Sequence, residues 1–99
     1  MPAPDRPPLH LQATAGQALT IVLDAQPAAG LLWRAPAAPS GCHLVADGQA
    51  AGGAGDGSAV QQRFLFTSTG AGSHTLKFLL QRPWGETPAA VQPVLVDVR

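Results

Sequence analysis

Proline and glycine punctuate this chain too densely for it to hold a long helix. Ten prolines and eleven glycines fall among 99 residues, and an interior proline both removes a helical hydrogen bond and clashes with the preceding turn. What survives between the breaks is short apolar alternation with period two, the spacing of a strand with one buried face. Leu9, Leu11 and Ala13 alternate with His10 and Gln12, and Leu19, Ile21 and Leu23 follow the turn-prone Ala15-Gly16-Gln17. Leu31, Trp33 and Ala35 make a third set, and Cys42 to Ala46 a weaker fourth. A Gly/Ala-rich stretch from Asp47 to Ser58 then interrupts the pattern. Beyond it come Val60, Gln62, Phe64 and Phe66; then His74, Leu76, Phe78 and Leu80; and last Val94, Val96 and Val98. The one helical candidate, the Ala-rich 25–38 region, is broken by Pro27, Gly30, Pro36 and Pro39.

About seven short strands separated by turn signals predict an all-β, immunoglobulin-like β-sandwich. A chain of this length has room for one core, so residues 9–99 form a single domain. Residues 1–8 read as a flexible N-terminal arm, because Pro2, Pro4, Pro7 and Pro8 oppose both helix and sheet pairing.

Charge is sparse and balanced, with six basic and six acidic residues. No basic cluster is dense enough to grip a phosphate backbone, which argues against nucleic acid as a partner. Neither a run near the ~18 apolar residues of a membrane helix nor a basic amphipathic helix is present, so no membrane association is expected. Cys42 is the only cysteine, so no internal disulfide forms, as suits a reducing compartment or a core large enough not to need one. The N-terminus, MPAPDRPPLH, has prolines and charges where a secretory signal needs an apolar stretch. The expectation is a cytoplasmic protein if the chain is full length, and a periplasmic or secreted one if a leader has been removed.

Nothing in the sequence assembles an enzyme. Cys42 and His43 are adjacent, and neighbours on a strand point to opposite faces, so they cannot act as nucleophile and base. The pattern makes Cys42 a buried thiol, His43 an exposed imidazole and His74 a partly buried residue at a strand edge. His10, His43 and His74 lack any metal-ligand spacing, and no cofactor motif occurs. The Gly-rich stretch has no phosphate-loop lysine and no helix after it.

Three connectors stand out: QPAAG (26–30), GGAGDGS (52–58) and QRPWGETP (81–88). They follow the second, fourth and sixth strands, and connections of equal parity in an antiparallel sandwich leave from one end. The three loops are therefore expected together. Pro83 fixes its own φ and biases Arg82 to an extended conformation, which holds both Arg82 and Trp84 in place. Trp84 has two readings: it folds back to cap the sandwich with Arg82 stacked on it, or it stands out as an interface anchor.

In order and spacing these segments resemble the chagasin family of cysteine peptidase inhibitors. That family carries N-P-T-T-G-[YF]-x-W, then G-x-G-G before a strand Phe, then R-P-[WF]. Here the matching positions read Gln26-Pro27-Ala28-Ala29-Gly30-Leu31-Leu32-Trp33, then Gly53-Ala54-Gly55-Asp56-Gly57 leading to Phe64, then Arg82-Pro83-Trp84. Ala71-Gly72-Ser73-His74 is similar to the family's A-G-[TS]-H turn. The resemblance implies a monomeric, reversible inhibitor whose three loops form a wedge in the cleft of a papain-like cysteine peptidase. The peptidase-binding residues it implies are Pro27, Ala28, Ala29 and Gly30, then Gly53, Ala54, Gly55, Asp56 and Gly57, then Arg82, Pro83 and Trp84. The chain departs from the family pattern at Gln26, at Ala28-Ala29 in place of Thr-Thr, and at Asp56 between the glycines. Those departures motivate an alternative, a non-inhibitory immunoglobulin-like module that binds another protein with the same loops.

Overall fold

In the computed structural model, which describes residues 5–25, 30–51, 60–85 and 87–99, the elements described are strands and turns. Seven strands run in order: β1 (Leu9–Ala13), β2 (Leu19–Ala25), β3 (Leu32–Arg34), β4 (Cys42–Ala51), β5 (Val60–Ser68), β6 (Gly72–Gln81) and β7 (Ala90–Val98). They form a four-stranded sheet, β1-β7-β6-β3, facing a three-stranded one, β2-β5-β4. This is the immunoglobulin-like sandwich that the alternation predicts.

The core is the set of inward positions on the long strands. Ile21, Phe66, Leu76, Phe78, Val94 and Val96 are completely enclosed, each contributing about 1.5–3 kcal/mol of burial. Across the interface Phe64 and Phe78 meet with ring centroids 4.9 Å apart, tilted by 53°, an arrangement aromatic pairs favour.

Two features of the strands differ from the sequence pattern. The Gly/Ala-rich stretch does not interrupt β4 at Asp47. Between the pairs Ala46–Phe64 and Gln49–Gln62, Asp47 and Gly48 oppose the single residue Arg63. That is a β-bulge, and Gly48 absorbs it with a φ of +87°. The ladder then resumes to Ala51 opposite Val60. Second, β1 pairs with β7 in parallel, so β1 and β2 belong to different sheets despite the short turn between them.

Two glutamines occupy core positions, and each is satisfied. Gln62 of β5 accepts a bond from the Trp33 backbone N–H (2.6 Å) and donates to the Trp33 carbonyl (3.2 Å). Gln92 of β7 donates to the Pro7 carbonyl at 2.9 Å. Among the described residues no buried side-chain nitrogen or oxygen lacks a partner. Gln62 does what a neighbouring strand would do for the outer edge of β3. Replacing it by leucine, Gln62→Leu, orphans two backbone groups at about 1–3 kcal/mol each. Urea denaturation is expected to show a loss of ~2 kcal/mol or more, and a loss below ~1 kcal/mol would contradict this role.

Candidate functional site

Strands β2, β4 and β6 all run toward one pole of the sandwich. Within the sheets β2 and β4 are both antiparallel to β5, and β3 and β7 are both antiparallel to β6; the bonds of Trp33 to Asp24 and Gln62 then set one sheet against the other. At that pole Ala25 and Ala51 both lie opposite Val60, and Leu32 lies opposite Gln81. Trp33 ties the two sheets there, its buried indole Nε1–H donating to the Asp24 carbonyl at 2.6 Å. The strand ends that bracket the three connectors therefore converge, as strand parity requires.

Of the site residues inferred from sequence, Gly30, Arg82, Pro83 and Trp84 are described. Pro27, Ala28 and Ala29, and Gly53, Ala54, Gly55, Asp56 and Gly57, lie outside the described residues. Arg82-Pro83-Trp84-Gly85 is a β-turn closed by the Gly85 N–H on the Arg82 carbonyl at 3.0 Å. Trp84 has no positive φ, so the turn is of type I, with proline at the position where its fixed φ is favoured. Trp84 is 77% exposed. Of its two sequence readings, the cap does not occur and the projecting side chain does.

Arg82 lies against Gly30, not as a cap on the sandwich. Gly30 has a φ of +76°, and a Cβ built on it would stand 3.8 Å from the Arg82 side chain. The end of the first connector and the start of the third are thus in contact. Beside them Leu32, Trp33, Arg34, Gln81, Arg82 and Pro83 line an open depression of about 180 Å³. The return to β7 is fastened by the Ala89 N–H on the Leu80 carbonyl at 2.7 Å.

The opposite pole holds a contact that the adjacency of Cys42 and His43 obscures. Cys42 is buried and His43 exposed, as expected, but the Cys42 Sγ lies 3.6 Å from Nε2 of His74. The His74 ring also packs on Phe66, with centroids 5.9 Å apart. Cys42 is the first residue of β4 and His74 the third of β6, so the parity that gathers the loops at one end brings these two strand starts together at the other. Cys42 is only 8% exposed and His74 is half-buried, so the thiol itself is covered. Among the described residues no group of three or more His, Cys, Asp and Glu side chains could hold a metal ion.

The profile described as "Chagasin family peptidase inhibitor I42" matches residues 12–98. The chain belongs to the chagasin family. Solved structures that share the fold of this chagasin-family chain include two similar to it over most of its length. One is the cysteine protease inhibitor EhICP2 from Entamoeba histolytica, with a TM-score of 0.72 and 21% identity, covering 92% of this chain and 86% of that one. The other is amebosin, with a TM-score of 0.61 and 22% identity, covering 91% and 88%. No curated protein matches the sequence significantly. Family membership makes the chain an inhibitor rather than an enzyme.

The left-handed backbone at Gly30 gives a test of how this pole is built. An L-residue held at positive φ costs about 1–2 kcal/mol, and the Arg82 contact distance leaves room for a methyl group. Gly30→Ala should lower stability by ~1 kcal/mol in urea melts, and Gly30→Asn by less, because asparagine tolerates this region. Equal effects of the two substitutions would count against the conformation.

Proposed function

We propose that the chain is a monomeric, reversible inhibitor of papain-like cysteine peptidases that presses its loop-bearing pole into the active-site cleft. Pro27 to Gly30, Gly53 to Gly57 and Arg82 to Trp84 make the contact. The observation that carries this reading is the projecting Trp84, fixed on a type I turn and standing 77% exposed on a chain of the chagasin family. Leaving an indole in water forgoes its burial, and tryptophan is among the residue types most enriched where interfaces concentrate their binding energy. The converging ends of β2, β4 and β6 support placing the other two segments beside it.

Inhibition on this account needs no chemistry from the inhibitor. Glycines around Gly55 let the backbone approach a narrow cleft closely, with no Cβ in the way. Arg82, lying over Gly30, links two of the three segments and limits the freedom lost on binding. Ala28 and Ala29 offer no hydroxyl where the family pattern has two, so contact through the first segment rests on backbone groups and methyls.

The test is titration of papain and a cathepsin L-type enzyme under reducing conditions, with protein from nanomolar to micromolar. Stoichiometric inhibition, and a complex with active-site-blocked enzyme, are expected. Absence of both at tens of micromolar sinks the proposal and leaves the non-inhibitory binding module. Trp84→Ala is expected to weaken inhibition by ~2 kcal/mol or more while the melting temperature barely moves. A matching loss of stability would instead make Trp84 a structural residue.

A further inference from the structure

The N-terminal segment 5–8 reads from sequence as part of a loose arm, yet it is fastened at the loop-bearing pole. Asp5 pairs with Val91 in parallel, beyond the end of β1. The Arg6 N–H donates to the Val91 carbonyl at 2.8 Å, and the buried Gln92 amide donates to the Pro7 carbonyl at 2.9 Å. Proline removes a donor but keeps its acceptor, so a proline-rich stretch can still be tied down through its carbonyls. From this anchorage the Arg6 guanidinium reaches the face of Trp33, 5.0 Å from the ring centroid. In the sheet β7 and β3 are separated by β6, so Arg6 joins two strands that share no ladder.

We propose that segment 5–8 is a strap that positions the inhibitory loops, with Arg6 as the positioning residue acting through Trp33. Trp33 is the second residue of β3 and follows Gly30 by three positions. Its indole and backbone already bind Asp24 of β2 and Gln62 of β5. A cation held over the ring adds β7 to this junction and restrains the exit of the first loop relative to the strands that carry the other two. The consequence for binding rests on the inhibitory reading above; the mechanical effect on Trp33 does not.

The experiment compares the whole chain with Arg6→Ala and Arg6→Lys. Hydrogen exchange is read at the Trp33 indole N–H and at the Gly30, Leu31 and Leu32 amides. The amides of Gly16, Cys42 and Thr69, hydrogen-bonded at the far pole, serve as controls. Arg6→Ala should speed exchange at Trp33 and its neighbours about five-fold, the factor that corresponds to ~1 kcal/mol for one cation–π contact. The inhibition constant should rise by a similar factor, the far pole should be unchanged, and Arg6→Lys should restore most of both effects. Unchanged exchange at Trp33 overturns the proposal. So does equal acceleration at both poles, which is a general loss of stability, and so does local acceleration with an unaltered inhibition constant. If the unmodified chain inhibits no peptidase, the functional reading falls, while the exchange comparison still decides whether the strap holds Trp33.

Discussion

Trp33 is where the two sheets are joined by directional bonds as well as apolar packing. It sits in a strand of only three residues at the edge of its sheet, too short for its ladder with β6 to secure it. Gln62 supplies the missing neighbour, bonding both backbone groups of Trp33 from the opposite sheet, while the indole N–H reaches Asp24 on β2. Each such bond adds about 1 kcal/mol net, but leaving its buried partner unsatisfied costs more. The same capping hides the free edge of β3 from other chains, since a bare edge invites strand addition. Because Leu32 lies opposite Gln81, the junction also sets where the Arg82-Pro83-Trp84 turn begins.

Much of this frame is legible in the residues. Strands whose inward faces are closed by the facing sheet advertise themselves through period-two alternation, as β2, β5, β6 and β7 do. Edges are harder to read. The end of β4 carries Gln49, Ala50 and Ala51, which show no apolar alternation because its ladder with β5 is held by backbone bonds across a glycine bulge. The choice of β7 as the parallel partner of β1 is not written in any local pattern either. Gln62 falls on the same alternate positions as Phe64 and Phe66, and Gln92 on those of Val94 and Val96. A polar residue on a core face is a sequence signal of a buried bond, although the partner it finds, here Trp33 and Pro7, comes only with the fold.

For the site, strand parity and the motifs of the three connectors place the loops at one end, and the convergence of β2, β4 and β6 agrees with that parity. The sequence leaves Trp84 open between cap and anchor because it does not say which way a turn points its tip. Four residues exclude the cap: the Arg82–Gly85 bond reverses the chain within the turn, and the indole is left at its exposed corner. Arg82 is then used on Gly30 and not as a cap, a pairing that neither motif alone implies. The Cys42–His74 contact is hidden in the sequence for a related reason, since Cys42 adjoins His43 along the chain and meets His74 only because β4 and β6 start at the same pole.

The distribution of polar groups inside the sandwich bears on how such a surface could bind. The middle of the core is apolar, with Phe66, Phe78, Ile21, Leu76, Val94 and Val96 enclosed. At the loop-bearing pole, Gln62 and Gln92 each stand two residues into their strands, and Trp33, Asp24, Pro7 and Arg6 complete a connected set. Apolar packing is non-directional and tolerates small displacements, whereas hydrogen bonds in a buried setting fix separations and angles. A frame so fixed loses little freedom when a partner arrives, which is the main way a preorganised surface gains affinity. The connectors it carries are rich in alanine and glycine, side chains with no rotamers to lose but little area to bury. The pole therefore offers small groups around one large one, and Trp84 is the only described aromatic that it leaves exposed.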